Sequence, residues 1–148
     1  MGYRSIVVGT DGSPTAEVAV REAAELAKKF GARLTVVSAF VPHPSEEIAR
    51  SQEEVPAELR WMLTDSAQAE DKAGHGRELA RELGVDVRVR VQSGDPADVI
   101  VDVAEDVGAD LIVVGSKGMT SATRFVLGNV PNKVSHHTPC DLVIIKTA

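Results

Sequence analysis

Five short apolar runs, each separated from the next by a longer stretch of helical periodicity, constrain this chain more than any single residue does. The runs lie at residues 3–9, 33–40, 85–91, 110–115 and 142–146. Each has strand length, and most are bounded by glycine, proline or aspartate. Between them, Ala16, Ala19, Val20, Ala23, Leu26, Ala27 and Phe30 recur at i, i+3, i+4 spacing, as do Ala97, Ile100, Val103, Ala104 and Val107. Residues 56–83 repeat the pattern with Leu59, Met62, Leu63, Ala69, Ala73, Ala80 and Leu83, although Gly74 and Gly76 interrupt its middle. A shorter helical pattern covers residues 129–137. Strand and helix alternating throughout predict an α/β fold with a largely parallel sheet. The expectation is one domain over residues 1–148, a doubly wound five-stranded parallel sheet with helices on both faces.

Local signals sharpen the boundaries. Ser13-Pro14 and Asp95-Pro96 each offer an N-cap followed by a first-turn proline, and Gly31 and Gly108 end the helices they open. Glu17 with Arg21, and Glu25 with Lys29, are spaced as i,i+4 pairs on the wet face of the first helix. Asp98, Asp102, Glu105 and Asp106 lie opposite an apolar stripe and are expected to face water. Residues 41–55 carry Pro42, Pro44 and no sustained period, so a long surface loop is expected there. Val85, Val87, Val89 and Val91 alternate with Asp86, Arg88 and Arg90, which predicts a strand with one wet face.

Two strand exits resemble one another: Val8-Gly9-Thr10-Asp11-Gly12 and Val114-Gly115-Ser116-Lys117-Gly118. In a doubly wound sheet ligands bind beyond the carboxyl ends of the strands that flank the reversal of strand order. An order of 3-2-1-4-5 makes the first and fourth strands those neighbours, brings both glycine-rich exits to one crevice, and leaves the alternating third strand at an edge. Glycine at a strand exit permits positive φ and close approach of a ligand. The second exit continues as Gly115-x2-Gly118-x9-Gly128, after which a helix starts at Asn129 and offers free N–H groups to an anion. No Asp or Glu occurs between Gly115 and Cys140, whereas Lys117, Arg124 and Lys133 do. A basic loop on a chain of net charge −6 points to a small anionic ligand, foremost a nucleotide.

That acidic balance also argues against nucleic acid or an anionic membrane as the main partner. Three Phe, one Trp and one Tyr are too few for base-stacking platforms. Cys140 is the lone cysteine, so an internal disulfide and a thiolate metal cluster are excluded; its place before a strand reads as a small core residue. No apolar stretch has signal-peptide or membrane-spanning length, and a cytoplasmic setting is expected. His136 and His137 are adjacent on a helix and diverge by about 100°, so they read as charge near a helix C-terminus rather than as a metal pair. The last run, from Leu142 at its start to Lys146 at its end, would be an apolar edge strand, and a homodimer through it is expected.

The segments IVVGTDGS, Gly94-Asp95-Pro96, DLIVVGSKG and LGNVPNKVSHHTPCDLVIIK resemble the universal stress protein family over essentially the whole chain. The resemblance implies a doubly wound fold, commonly dimeric through the last strand. In members that bind ATP, the base and ribose meet the positions that are here Gly9, Thr10, Asp11 and Ala39. The phosphates meet those that are here Gly115, Ser116, Gly118, Gly128, Asn129 and Val130, with Asp11 on ribose or a divalent ion, and Val114 belongs to the same nucleotide-binding set. Such members carry hydroxyl residues where this chain has Asn129 and Pro131, and Pro131 offers no N–H. ATP, with Mg2+, is the first ligand implied; AMP and cyclic AMP are alternatives.

The functional expectation is therefore a non-catalytic adenine-nucleotide-binding stress-response regulator acting as a homodimer. A slow ATPase is the enzymatic alternative, with only Asp11 and the basic loop residues to serve it; a Walker A lysine motif and a Gly-x-Gly-x-x-Gly are both missing. A dimeric interaction module without nucleotide is the third.

Overall fold

The computed structural model describes residues 2–40, 65–116 and 129–146. In chain order these form β1 (Ser5–Gly9), α1 (Pro14–Phe30), β2 (Arg33–Phe40), α2 (Asp65–Glu82), β3 (Val87–Ser93), α3 (Pro96–Val107), β4 (Leu111–Gly115), α4 (Asn129–His137) and β5 (Asp141–Ile145). The strands build one parallel sheet in the order β3-β2-β1-β4-β5. The expected topology is the observed one. The expected loop at 41–55, the first part of the helix expected at 56–83, and Lys117, Gly118, Arg124 and Gly128 lie outside the described residues.

The central strands are apolar without interruption because both their faces are covered. Ile6 and Val8 of β1, with Leu34 and Val36 of β2 and Leu111 and Val113 of β4, pack against α1 and α2. Val7, Val37, Ile112 and Val114 face the other way, toward Ala97, Ile100, Val103 and Ala104 of α3 and Val134 of α4. Each fully buried Val, Leu or Ile contributes about 1.5–3 kcal/mol relative to exposure, so the period-two division into two cores is what holds the sandwich together.

Helix α1 starts where the caps say it should: Ser13 Oγ accepts the Ala16 N–H at 3.2 Å and Pro14 occupies the first turn. Of its expected stripe, Ala19, Val20, Ala23 and Ala27 are buried; Phe30 is 38% exposed and stands edge-on to Tyr3 with ring centroids 5.4 Å apart. The Glu17 carboxylate turns away from the i,i+4 geometry and meets His75 Nε2 of α2 at 2.7 Å. In α3, Asp95 Oδ2 accepts the Ala97 and Asp98 N–H groups, as the parallel motif predicts.

Strand β3 begins two residues later than its alternation suggests. Val85 is buried in the connection, where its N–H reaches Ala80 O and closes α2. Its remaining valines, Val87, Val89 and Val91, pack toward α1 and α2 while Arg88 is exposed and Arg90 reaches Asp106 of α3 at 2.7 Å. The interrupting glycines leave the described part of α2 continuous. At Gly76 a Cβ would lie 3.0 Å from Val36 Cγ1, so this glycine lets the helix lie close to β2.

Candidate functional site

A cavity of about 50 Å³, half open to solvent, lies beyond the carboxyl ends of β1 and β4. Gly9, Thr10 and Asp11 line it from the first exit, Val114 and Gly115 from the second, and Val37 and Ala39 from the end of β2. Three helices contribute their first turns: Ser13, Thr15 and Ala16 of the α1 start, Pro96 and Ile100 of α3, and Val130 and Pro131 of α4. The doubly wound topology forces this convergence, since every helix that follows a strand starts at the strand's carboxyl edge. The lining is mainly apolar with a polar rim, the usual character of a small-molecule site.

The β1–α1 turn is held by its own side chains. Thr10 Oγ1 accepts the Gly12 N–H at 3.1 Å, and Asp11 Oδ1 accepts the Ser13 N–H at 2.9 Å. One oxygen of Asp11 therefore builds an Asx turn, and its other oxygen stays outside that turn. Gly12 sits at φ +79°, a left-handed conformation that an L side chain rarely adopts.

The ladder between β1 and β2 ends with the Thr10 N–H on Val37 O at 2.9 Å. Phe40 O, one step out of phase, accepts Gly94 N–H on the β3 side. Strand periodicity then turns the amide and carbonyl of Ala39 toward the β1 side, where β1 has already left the sheet. An adjacent donor and acceptor at the mouth of an apolar slot can read the edge of a flat heterocycle.

The structure changes the reason for one glycine. Gly9 does not have positive φ; a Cβ there would lie 2.5 Å from Ile100 Cδ1, so glycine is needed for α3 to close on β1. Ser116 is described but is not part of the cavity lining, and its N–H donates to Ile145 O at 2.7 Å, extending the β4–β5 ladder. Asn129 is the first residue of α4, whose next two residues reach the cavity.

Lys133 does not behave as the charge count along the segment suggests. Its Nζ lies 3.1 Å from Asp95 Oδ2 and 3.4 Å from Asp98 Oδ2, bridging α4 to the cap of α3. Burial tends to raise the Asp95 carboxyl, but the hydrogen bonds from Lys133 and from the Asp98 and Ala97 amides outweigh it and hold the group below its ordinary range. The same Asp95 bond raises the Lys133 ammonium. Cys140 packs partly buried against the α3 core, and burial pushes its thiol up.

Sequence reasoning passed over Ser13, Thr15, Ala16, Val37, Pro96 and Ile100 as cavity residues. The paired Ser13-Pro14 and Asp95-Pro96 starts were the available signal, because both first turns point at the same edge of the sheet.

Comparison with known proteins agrees with this architecture. The sequence profile of the universal stress protein family matches residues 2–146. The chain belongs to that family. Among its relatives, a universal stress protein of Staphylococcus saprophyticus is 33% identical over 151 aligned residues, covering 98% of this chain and 84% of that protein. A universal stress protein solved in complex with cAMP is 30% identical, with full coverage of both chains and a TM-score of 0.71. The universal stress protein of Archaeoglobus fulgidus in complex with dAMP is 27% identical, covers 99% of this chain and 100% of that one, and has a TM-score of 0.70. This family member thus places its cavity at the switch point of a fold shared with nucleotide-bound relatives.

Proposed function

We propose that this protein binds an adenine nucleotide in the β1/β4 crevice and serves as a non-catalytic stress-response regulator, acting as a homodimer. The observation that carries the proposal is the cavity itself, an apolar slot between two glycine exits with the main-chain edge of Ala39 facing it. The cAMP and dAMP held by two relatives are of the same ligand class. Three features favour AMP or cyclic AMP over ATP with Mg2+. Pro131 at the α4 start has no N–H, the Ser116 N–H is used by β5, and Lys133 is held by two aspartates.

The non-catalytic assignment is supported by the lining, in which Asp11 is the one group among the described residues able to act as an acid or base. The two sheet edges support the dimer. On β3, Arg88 and Arg90 guard the edge, whereas β5 carries Leu142, Val143, Ile144 and Ile145 in succession, with Ile144 38% exposed. No described helix is long and apolar enough to cross a membrane; a cytoplasmic setting remains part of the proposal.

Calorimetric titration with AMP, cyclic AMP and ATP–Mg tests the ligand. The expected result is saturable heat with the monophosphates and weaker binding of ATP. Absence of heat with all of them would discard the nucleotide in favour of an interaction module.

A further inference from the structure

Lys72 lies on α2, an element that contributes nothing to the cavity lining, yet its stem lies against Gly12, between two residues of that lining. A Cβ built on Gly12 would lie 2.6 Å from Lys72 Cγ and 3.2 Å from both its Cβ and Cδ. Gly12 is bracketed by Asp11 and Ser13, which both line the cavity. Only two bonds separate the Lys72 Cδ from its ammonium, so the charge stays within a few ångströms of this rim (each bond spans about 1.5 Å).

The placement follows from how α2 is seated. Ala69 and Ala73 are buried, and Gly76 faces Val36, Val20 and Thr10, so small residues let α2 lie low over β2 and α1. One turn beyond Lys72, His75 Nε2 meets Glu17 Oε1 at 2.7 Å, which pins α2 to the first turn of α1. Lys72 and His75 share a face at i,i+3 spacing, and the pin therefore sets Lys72 over Gly12. Among the described residues no carboxylate pairs with Lys72. Lys133, one of the three cations the linear sequence offers, is already committed to Asp95 and Asp98.

We infer that Lys72 is a specificity-determining residue that favours phosphorylated nucleosides over neutral ones by placing a positive charge at the cavity rim beside Asp11. This rests on the proposed nucleotide site. It assigns to α2 a part in ligand choice, with the charge offsetting Asp11 and attracting a ligand phosphate.

The test is titration of the full chain with AMP and with adenosine, for wild type, Lys72→Met and Lys72→Arg. Methionine keeps the stem on Gly12 and removes the charge; arginine restores it. AMP affinity is expected to fall by about three- to fivefold in Lys72→Met, the scale of one exposed charge. Adenosine affinity should hold and Lys72→Arg should recover AMP binding. The AMP affinity of the wild type should also fall more steeply with salt than that of Lys72→Met. Unchanged AMP affinity in Lys72→Met, or equal losses for AMP and adenosine, would overturn the inference while leaving the nucleotide site standing. A wild type that binds neither ligand would remove the site and this role together.

Discussion

At the scale of single residues, the crevice depends on close approach more than on unusual backbone. Gly9 is the clearest case. Its missing side chain is the space that Ile100 Cδ1 occupies, and Ile100 is 4% exposed with little room to retreat. Gly9→Ala is therefore expected to destabilise the protein by about 1–3 kcal/mol, the cost of overpacking a filled core. Ile100→Val removes the offending methyl and should cost about 0.5–1.5 kcal/mol alone. Together the two substitutions should cost less than their sum, with a coupling of about 0.5–3 kcal/mol. Urea denaturation of the four proteins in the cycle measures this; strictly additive losses would mean that Gly9 is needed for another reason. The sequence marks Gly9 as special, since a glycine at a strand exit is visible in any linear reading. It does not show why, because Ile100 lies in the third helix and meets Gly9 only after the sheet has formed. Gly12 is similar: the turn it belongs to is local and legible, whereas the Lys72 stem that lies against it is not.

At the scale of elements, helix starts and ends were legible and lateral packing was not. Ser13-Pro14 and Asp95-Pro96 state where α1 and α3 begin, and the observed caps use those side chains. The glycines of α2 read only as weak points because propensity is a property of the isolated helix. In the folded chain they differ. Nothing lies within 4 Å of a Cβ on Gly74, while one on Gly76 would press on Val36 Cγ1 at 3.0 Å. Gly74→Ala should thus stabilise by about 0.5–1 kcal/mol through reduced backbone entropy in the unfolded chain. Gly76→Ala should gain less than this or lose, since the same propensity is set against a contact with Val36. Equal gains on thermal or denaturant unfolding would show that α2 does not need its close approach. The register of β3 follows the same rule. Alternation identified the strand and its wet face, but Val85 was drawn into the α2 connection by a bond to Ala80 O that a period-two pattern does not contain.

For the whole molecule, the contrast between the charged β3 edge and the apolar β5 edge bears on assembly. If two copies pair through β5 as proposed, Ile144→Asp should convert a sedimenting dimer to a monomer, with the circular dichroism spectrum unchanged. A wild type that sediments as a monomer would end that reading. The sequence by itself determined the fold class, through hydrophobic period and glycine and proline punctuation, which act over short stretches of chain. The strand order 3-2-1-4-5 entered the reading as a condition, and the sheet meets it. Only the tertiary structure decided how the charges are spent and which contacts shape the crevice. It joins Lys133 to Asp95 and Asp98, lays Lys72 over Gly12, closes Ile100 on Gly9 and gives the Ser116 N–H to β5. Ion pairs, close contacts and hydrogen bonds depend on distance in space, and for residues far apart along the chain that distance exists only once the sheet has brought their elements together.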